Sequence, residues 1–170
     1  MTAFDTETTG LFPDSGHILE IGAVRFDKTG VLSSYNTLVN PGCLITPEIT
    51  KINHIDDSMV SSCRTINCVL PEFLDFIGDS VLIAHNANFD LDFVNKELER
   101  SCLKKLSNKA VDTLDLSRWA FPALKKHSLQ FLAQAFSIDV HDAHRASDDA
   151  RVCMEVFLRC LKDTASVQKL

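Results

Sequence analysis

Two strand-like runs joined by a short turn constrain this chain more than any other feature. Ile18 to Phe26 is rich in β-forming residues, Asp27-Lys28-Thr29-Gly30 has the composition of a turn, and Val31 to Val39 contains the alternating series Val31, Ser33, Tyr35, Thr37 and Val39. Alternation with period two suits a strand with one buried face, and two such runs across a turn predict an antiparallel hairpin. Asn40-Pro41-Gly42 ends it. Upstream, Thr2-Ala3-Phe4-Asp5 predicts a short first strand, and Gly10 with Pro13 to Gly16 predicts a loop leading into the hairpin.

Beyond the hairpin, helical patterns alternate with short strands. Thr46 as cap, Pro47 at the first helical position and Glu48 in the first turn predict a short helix through about Ile52. Ile66, Val69, Leu70, Phe73, Leu74 and Ile77 follow the helical period, so a helix is expected over Thr65 to Ile77, with Pro71 near its first turns or kinking it and Gly78 ending it. Ser80 to Ala84 reads as a strand, followed by a helix capped by Asn88 or Asp90 that buries Phe89, Phe93, Val94 and Leu98. Ala110 to Thr113 reads as a further strand, with helices over Thr113 to Ala120, Ser128 to Phe136 and Ser147 to Leu161. This order implies an α/β fold: a mixed sheet covered by helices on both faces, in a single domain over residues 1–170.

Composition narrows what such a domain does. The net charge of -6 argues against holding nucleic acid by bulk electrostatics alone, but an acidic protein can act on phosphates when metal ions intervene. No apolar run approaches the roughly 18 to 20 residues that cross a bilayer, and no export signal is visible, so a soluble cytoplasmic protein without a membrane partner is expected. The six cysteines form no CxxC pair and are expected to be reduced thiols.

Three polar clusters carry chemistry. Asp5 and Glu7 lie two apart on the first strand, so the pleat points both carboxylates to one face. An EF-hand loop starting at Asp5 would need Glu where Gly16 stands, a D-x-D phosphatase would need Asp in place of Glu7, and the Gly-x-x-x-x-Gly-Lys order of a P-loop is missing. The second cluster is His85-Asn86-Ala87-Asn88-Phe89-Asp90, a strand end entering a helix; Asp92, two residues further round, should point elsewhere. The third is His144-Arg145-Ala146-Ser147-Asp148-Asp149. On one helix His144 and Asp149 would stand ~140° apart, so they converge only if His144 precedes a helix capped by Ser147. Taken singly, each cluster is better read as solvated acids or as charges favourable to a helix dipole.

Taken together, Asp5, Glu7, Asp90, His144 and Asp149 in this order resemble the DnaQ-like (DEDDh) family of 3'-5' exonucleases. The resemblance rests on Phe4-Asp5-Thr6-Glu7-Thr8-Thr9-Gly10, on the His85 to Asp90 segment and on the H-x4-D spacing of His144 and Asp149. It extends through Asp112-Thr113-Leu114, Phe121-Pro122 and His127-Ser128-Leu129-Gln130-Phe131-Leu132, and so covers about residues 3–158. It implies a ribonuclease H-like fold with a five-stranded mixed sheet. It also implies a catalytic set of Asp5, Glu7, Asp90, His144 and Asp149, in which Asp5, Glu7 and Asp149 bind metal directly, Asp90 holds a second ion largely through water and His144 is the general base. Thr8, Thr9, Glu48, Asn53, Asn86 and Phe89 fall at positions implied to contact substrate. The chain departs from the family in carrying Asn53-His54-Ile55 where relatives often have His-Gly-Ile, and in having only four residues ahead of Asp5, which suggests a short first strand.

The implied reaction is hydrolysis of the terminal phosphodiester at a single-stranded DNA 3' end, releasing nucleoside 5'-monophosphates in proofreading or repair, with a DNA polymerase catalytic subunit as partner. Two Mg²⁺ or Mn²⁺ ions suit four carboxylates without a nearby thiolate. His144 must be neutral to accept a proton, so activity is expected to rise through neutral to mildly alkaline pH. Lys125, Lys126, His127, Arg145 and Arg151 are candidates for the cleft rim. Two alternatives share the motifs: an exoribonuclease or oligoribonuclease of the same family, and a catalytically silent module that binds nucleic acid or a polymerase.

Overall fold

A computed structural model of the chain describes residues 1–167, so residues 168–170 of the expected domain lie outside the described residues. Five strands form one mixed sheet: β1 (Thr2–Thr8), β2 (Ile18–Asp27), β3 (Gly30–Leu38), β4 (Leu82–Ala84) and β5 (Ala110–Asp112). Their spatial order is β3-β2-β1-β4-β5, with β1 in the centre. The expected hairpin is present as antiparallel β2 and β3, and β1 joins β2 antiparallel but β4 parallel. The first strand is not short. Thr2–Thr8 is a seven-residue strand, because hydrogen bonds from both neighbours fix a chain start that local propensity leaves undecided.

Helices cover both faces. One face packs Phe4, Ile21 and Ala23 of the sheet against α3 (Ile66–Ile77) and α4 (Ala87–Arg100). The other packs Ala3, Val24, Phe26 and Ile83 against α6 (Leu129–Phe136) and α7 (Ala146–Val167), with α5 (Thr113–Ala120) alongside. Alternation along β1 explains this split: Phe4 points to one side, Ala3 to the other. A smaller cluster of Leu19, Ile45, Ile55 and Val60 lies beneath α1 (Pro47–Asn53) and α2 (Asp57–Val60).

Several element ends depart from the sequence expectation. Thr46 occupies the N-cap position of α1, but its side chain makes no capping bond. The short helix α2 was not anticipated; Asp56 caps it by accepting from the backbone N–H groups of Ser58 and Met59. Pro71 lies inside α3, past its first turn. Helix α4 begins at Ala87 after a left-handed Asn86, so neither Asn88 nor Asp90 is its cap. Helix α7 begins at Ala146, ahead of Ser147. No helix among the described residues is long and apolar enough to cross a membrane, and all six cysteines are free.

Candidate active site

The site is built on the C-terminal half of β1. In the β1/β2 register Asp5 lies opposite Gly22 and Glu7 opposite Glu20, so these four positions share one face of the sheet. Helix α7 lies against that face. An added Cβ at Gly22 would stand 2.1 Å from the Ala146 carbonyl carbon, so only glycine lets the start of α7 approach this closely. Glu20 is fully buried; it accepts from Arg145 Nε at 3.0 Å, from Arg145 Nη2 at 2.9 Å and from the Ala146 backbone N–H at 3.1 Å.

Docked in this way, α7 delivers Asp149 to the strand acids. One carboxylate oxygen each of Asp5, Glu7 and Asp149 can be chosen so that all three lie within 4.8 Å of one another. Asp149 accepts from the Gln130 amide at 3.0 Å and from the His144 backbone N–H at 3.2 Å. His144 lies on the loop before α7, as convergence with Asp149 requires, in the left-handed region at φ 62°. Asp148, one residue from Asp149, turns away to accept from the His141 and Asp142 backbone N–H groups at 2.7 and 2.9 Å, which braces this loop.

Asp90 enters from α4, on the opposite side of β1, and is outside the close triad. Its Oδ1 accepts from both the backbone N–H and the hydroxyl of Thr6, each at 2.8 Å. The turn that starts α4 is held by Asp112, whose carboxylate accepts from the N–H groups of Asn86, Ala87 and Leu114. Asp92 is exposed and does not join the cluster.

Crowding leaves these acids poorly matched to water. Burial, then Asp90, Glu7, Asp149 and Glu20, push the Asp5 carboxyl well above the usual carboxylate range. Glu7 is pushed up to about 8, first by burial and then by Asp149, Glu20 and Asp90, against a lowering hydrogen bond from Asn53. Asp90 is raised to about 7 by burial, although its bonds from Thr6 oppose the change. Asp149 is raised by burial despite the opposing pull of His144. Hard oxygen donors this close, with their negative charge disfavoured, fit a divalent cation of the Mg²⁺ or Mn²⁺ class.

The residues implied to contact substrate surround this cluster unevenly. Thr8 donates its hydroxyl to the Gly10 carbonyl, and the Thr9 hydroxyl accepts from the His17 N–H, so both hydroxyls are engaged in the adjoining loop. Glu48 and Asn86 are exposed, whereas Asn53 is buried beside Glu7 and accepts from the Ile55 N–H. Phe89 is half-buried and packs on Phe93 with ring centroids 5.0 Å apart. Arg145 is held by Glu20, and Arg151 by Asp148 and Glu155, so neither is a free rim cation; both guanidiniums brace the α7 start. Sequence reasoning missed Glu20, Gly22 and the role of Gln130. A lone acid inside the otherwise apolar Ile18-Leu19-Glu20-Ile21 was the available signal.

A carboxylate cluster at the end of the central strand of this mixed sheet is the kind of site at which a metal-dependent enzyme can hold a divalent cation. Comparison with known proteins agrees. The RNase T exonuclease family model matches residues 2–157, and the chain belongs to this exonuclease family, with the nuclease activity that defines it. It is 49% identical over 158 residues to the epsilon subunit of DNA polymerase III from Treponema pallidum (strain Nichols), covering 92% of this chain and 74% of that one. It is 36% identical over 159 residues to the epsilon subunit from Aquifex aeolicus (strain VF5), covering 94% and 79%. Against the PolC-type DNA polymerase III of Clostridium perfringens (strain 13 / Type A) identity is 41% over 153 residues, covering 90% of this chain but 10% of that protein. Thus the chain spans about three quarters of the epsilon subunits and about a tenth of the PolC-type polymerase. Among solved structures, Exonuclease X in complex with 5' overhanging duplex DNA superposes with a TM-score of 0.78 at 26% identity, covering 96% of this chain and 92% of that one. E. coli Exonuclease I with a dA16 oligonucleotide gives a TM-score of 0.83 at 18% identity, covering 96% and 40%, a likeness of fold alone.

Proposed function

We propose that the whole chain, residues 1–170, is a 3'-5' exonuclease domain that removes nucleotides from single-stranded DNA 3' ends as nucleoside 5'-monophosphates. Proofreading for a DNA polymerase catalytic subunit in the cytoplasm is the setting that its epsilon-subunit relatives suggest. The observation that carries this reading is the meeting of Asp5, Glu7 and Asp149 oxygens within 4.8 Å, in a chain matched by an exonuclease model over residues 2–157.

In this reading Asp5, Glu7 and Asp149 bind metal directly, and Asp90, kept apart by its bonds to Thr6, contributes to a second position through water. Bound there, two Mg²⁺ or Mn²⁺ ions would supply Lewis acidity at the scissile phosphate and at the leaving 3' oxygen. His144 takes the proton of the attacking water as the P–O3' bond breaks, and Asp149, accepting from the His144 backbone, keeps base and acids in one place. Thr8, Thr9, Glu48, Asn53, Asn86 and Phe89 contact the terminal nucleotide, Thr8 and Thr9 chiefly through the loop that their hydroxyls shape.

The test is digestion of end-labelled matched and mismatched DNA, and of RNA of the same sequence, with Mg²⁺ or EDTA. DNA shortened from its 3' end only with Mg²⁺ is the expected result. RNA degraded in preference to DNA would replace the reading with an exoribonuclease. Asp149→Ala should abolish cleavage with the far-ultraviolet circular dichroism nearly unchanged; undiminished cleavage by that variant would refute the assigned site.

A further inference from the structure

The sequence offers five basic residues for the cleft rim, and the structure separates them into two groups. Arg145 and Arg151 are consumed by buried or half-buried carboxylates, as described above. Lys125, Lys126 and His127 instead line an open groove of about 650 Å³, together with Asn86, Arg118 and Ser128. Among the described residues neither Lys125 nor Lys126 has an ion-pair partner. Arg118, among the described residues, pairs with Asp115 of its own helix alone, both side chains more than half exposed, and such pairs exchange readily with solvent and other anions. In a chain of net charge -6, this is a local excess of positive charge.

The position of the groove matters as much as its charge. Asn86 immediately precedes α4, four positions ahead of Asp90 in its first turn. On the other wall, Ser128 and Leu129 immediately precede Gln130, whose amide holds Asp149. The groove therefore adjoins the acidic cluster through two separate elements. Its walls are also ordered: the His127 ring is tied through Nδ1 to the Ser117 hydroxyl at 3.0 Å, and the His85 ring through Nδ1 to the Thr113 hydroxyl at 2.9 Å. Arg118 stands on α5, and Lys125 and Lys126 lie in the loop between α5 and α6, which the Ser117–His127 bond and the packing of Phe121 and Leu124 hold in place.

We propose that this groove is a backbone track: Lys125, Lys126 and Arg118 hold the phosphodiester groups of single-stranded nucleic acid on the 5' side of the bond that is cut. This rests on the exonuclease reading for the direction of the strand. Separation of the two roles follows from the geometry. The acidic cluster grips the terminal phosphate only with cations present, whereas the groove attracts the strand without them. Each lysine neutralises about one phosphate, so the pair contributes about 1.4 to the slope of log affinity against log salt, taking ~0.7 per contact for single strands.

The experiment compares the full chain with a Lys125→Gln/Lys126→Gln variant and with a Lys104→Gln/Lys105→Gln variant, which removes the same charge from a loop beyond α4. Binding of a fluorescent dT12 oligonucleotide and of U12 is measured in EDTA across a salt series, and KM is measured for dT12 and for a thymidine dinucleotide with Mg²⁺. The groove variant should bind dT12 about tenfold more weakly, lose about 1.4 from the salt slope, and raise KM for dT12 at least fivefold more than for the dinucleotide. Equal weakening of U12 would identify the shared phosphates as the ligand, and selective weakening of dT12 would identify DNA. Equal weakening in the Lys104/Lys105 variant, or unchanged dT12 binding in the groove variant, would overturn the track. Because binding in EDTA needs no catalysis, a chain that binds through the groove but degrades nothing would refute the proposed function and leave the track standing.

Discussion

The buried Glu20 carboxylate accepts two hydrogen bonds from the Arg145 guanidinium, at 2.9 and 3.0 Å, between residues 125 apart in the chain. Glu20 sits on β2 opposite Glu7 in the β1/β2 register, and Arg145 lies beside His144, so this ion pair fastens the loop carrying the proposed base to the strand next to the one that carries Asp5 and Glu7. Without its partner Glu20 would add a further uncompensated negative charge to the cluster. Arg145→Ala should therefore lower stability by about 3 kcal/mol, since it leaves a buried carboxylate without its counter-charge. Urea denaturation at neutral pH measures this, and a loss below about 0.5 kcal/mol would mean that the pair does not anchor α7.

Gly22 makes the same junction by absence of a side chain. Gly22→Ala places a methyl 2.1 Å from the Ala146 carbonyl carbon, and backbone on both sides leaves only displacement of α7 as relief. A stability loss of roughly 2 to 3 kcal/mol is expected. Activity should fall by at least tenfold even at temperatures where the variant is fully folded, because Asp149 moves with the helix; unaltered kcat in the folded variant would contradict this.

The raised carboxyls predict how pH and metal act on stability. Glu7 binds its proton up to about pH 8 in the folded chain but only to about 4.5 when unfolded, so between these values the folded state holds more protons. Stability is then greatest below about pH 4.5 as far as Glu7 is concerned, and is lost as pH rises through 8. Asp5, Asp90 and Asp149 shift in the same direction. In EDTA the thermal midpoint should fall between pH 6 and pH 8.5, and Mg²⁺ should raise it more at pH 8.5 than at pH 6. Equal stabilisation by Mg²⁺ at both pH values would disconnect metal binding from these acids.

His144→Ala should reduce kcat by about 10² to 10⁴, the range contributed by a positioned general base, with little change in KM. Wild-type activity should climb from pH 6 to pH 8, and the residual activity of the variant should climb less steeply. A wild-type profile flat from pH 5 to pH 9 would remove His144 from the role of base.

A separate brace holds the loop between β1 and β2. Arg100 donates to the carbonyls of Pro13, Asp14 and Gly16, each at 2.8 Å, and to the buried Glu97, which also meets His17 Nδ1 at 3.1 Å. His17 and Thr9 in turn close the base of this loop, two residues beyond Glu7. Arg100→Ala should raise amide exchange over residues 9–17 and raise KM several-fold with kcat within about twofold, whereas Arg100→Lys should restore part of the loss. Unchanged exchange in that loop would show that α4 does not hold it.

The elements whose periodicity extends over many residues were legible before any coordinates. The β2/β3 hairpin forms as its turn and strand runs predict, but β3 is an edge strand that leaves Val31 and Ser33 exposed, so its alternation marks no buried face. The Val69, Leu70, Phe73 and Ile77 stripe of α3 and the Phe93, Val94 and Leu98 face of α4, in contrast, bury what their spacing predicts. Element ends were less legible. The left-handed Asn86 depends on Asp112, which arrives from 26 residues away, and the full length of β1 depends on strands paired to both its edges. Likewise, Arg145 and Arg151, expected at the rim, could not be told in sequence from Lys125 and Lys126, because ion pairing is decided by which carboxylates the fold brings near.

Side-chain period and residue chemistry are local properties, so the sequence alone determined the α/β alternation, the shared face of Asp5 and Glu7, and the order of acids and one histidine on which the exonuclease resemblance rests. Distance is not local. Only the tertiary structure decided that Asp149 reaches within 4.8 Å of the strand acids while Asp90 stays with Thr6, that Glu20 serves as an anchor, and that the free lysines line a groove beside the site. The physical reason is the docking of α7 on β2, where one missing Cβ and one buried ion pair bring together segments more than a hundred residues apart.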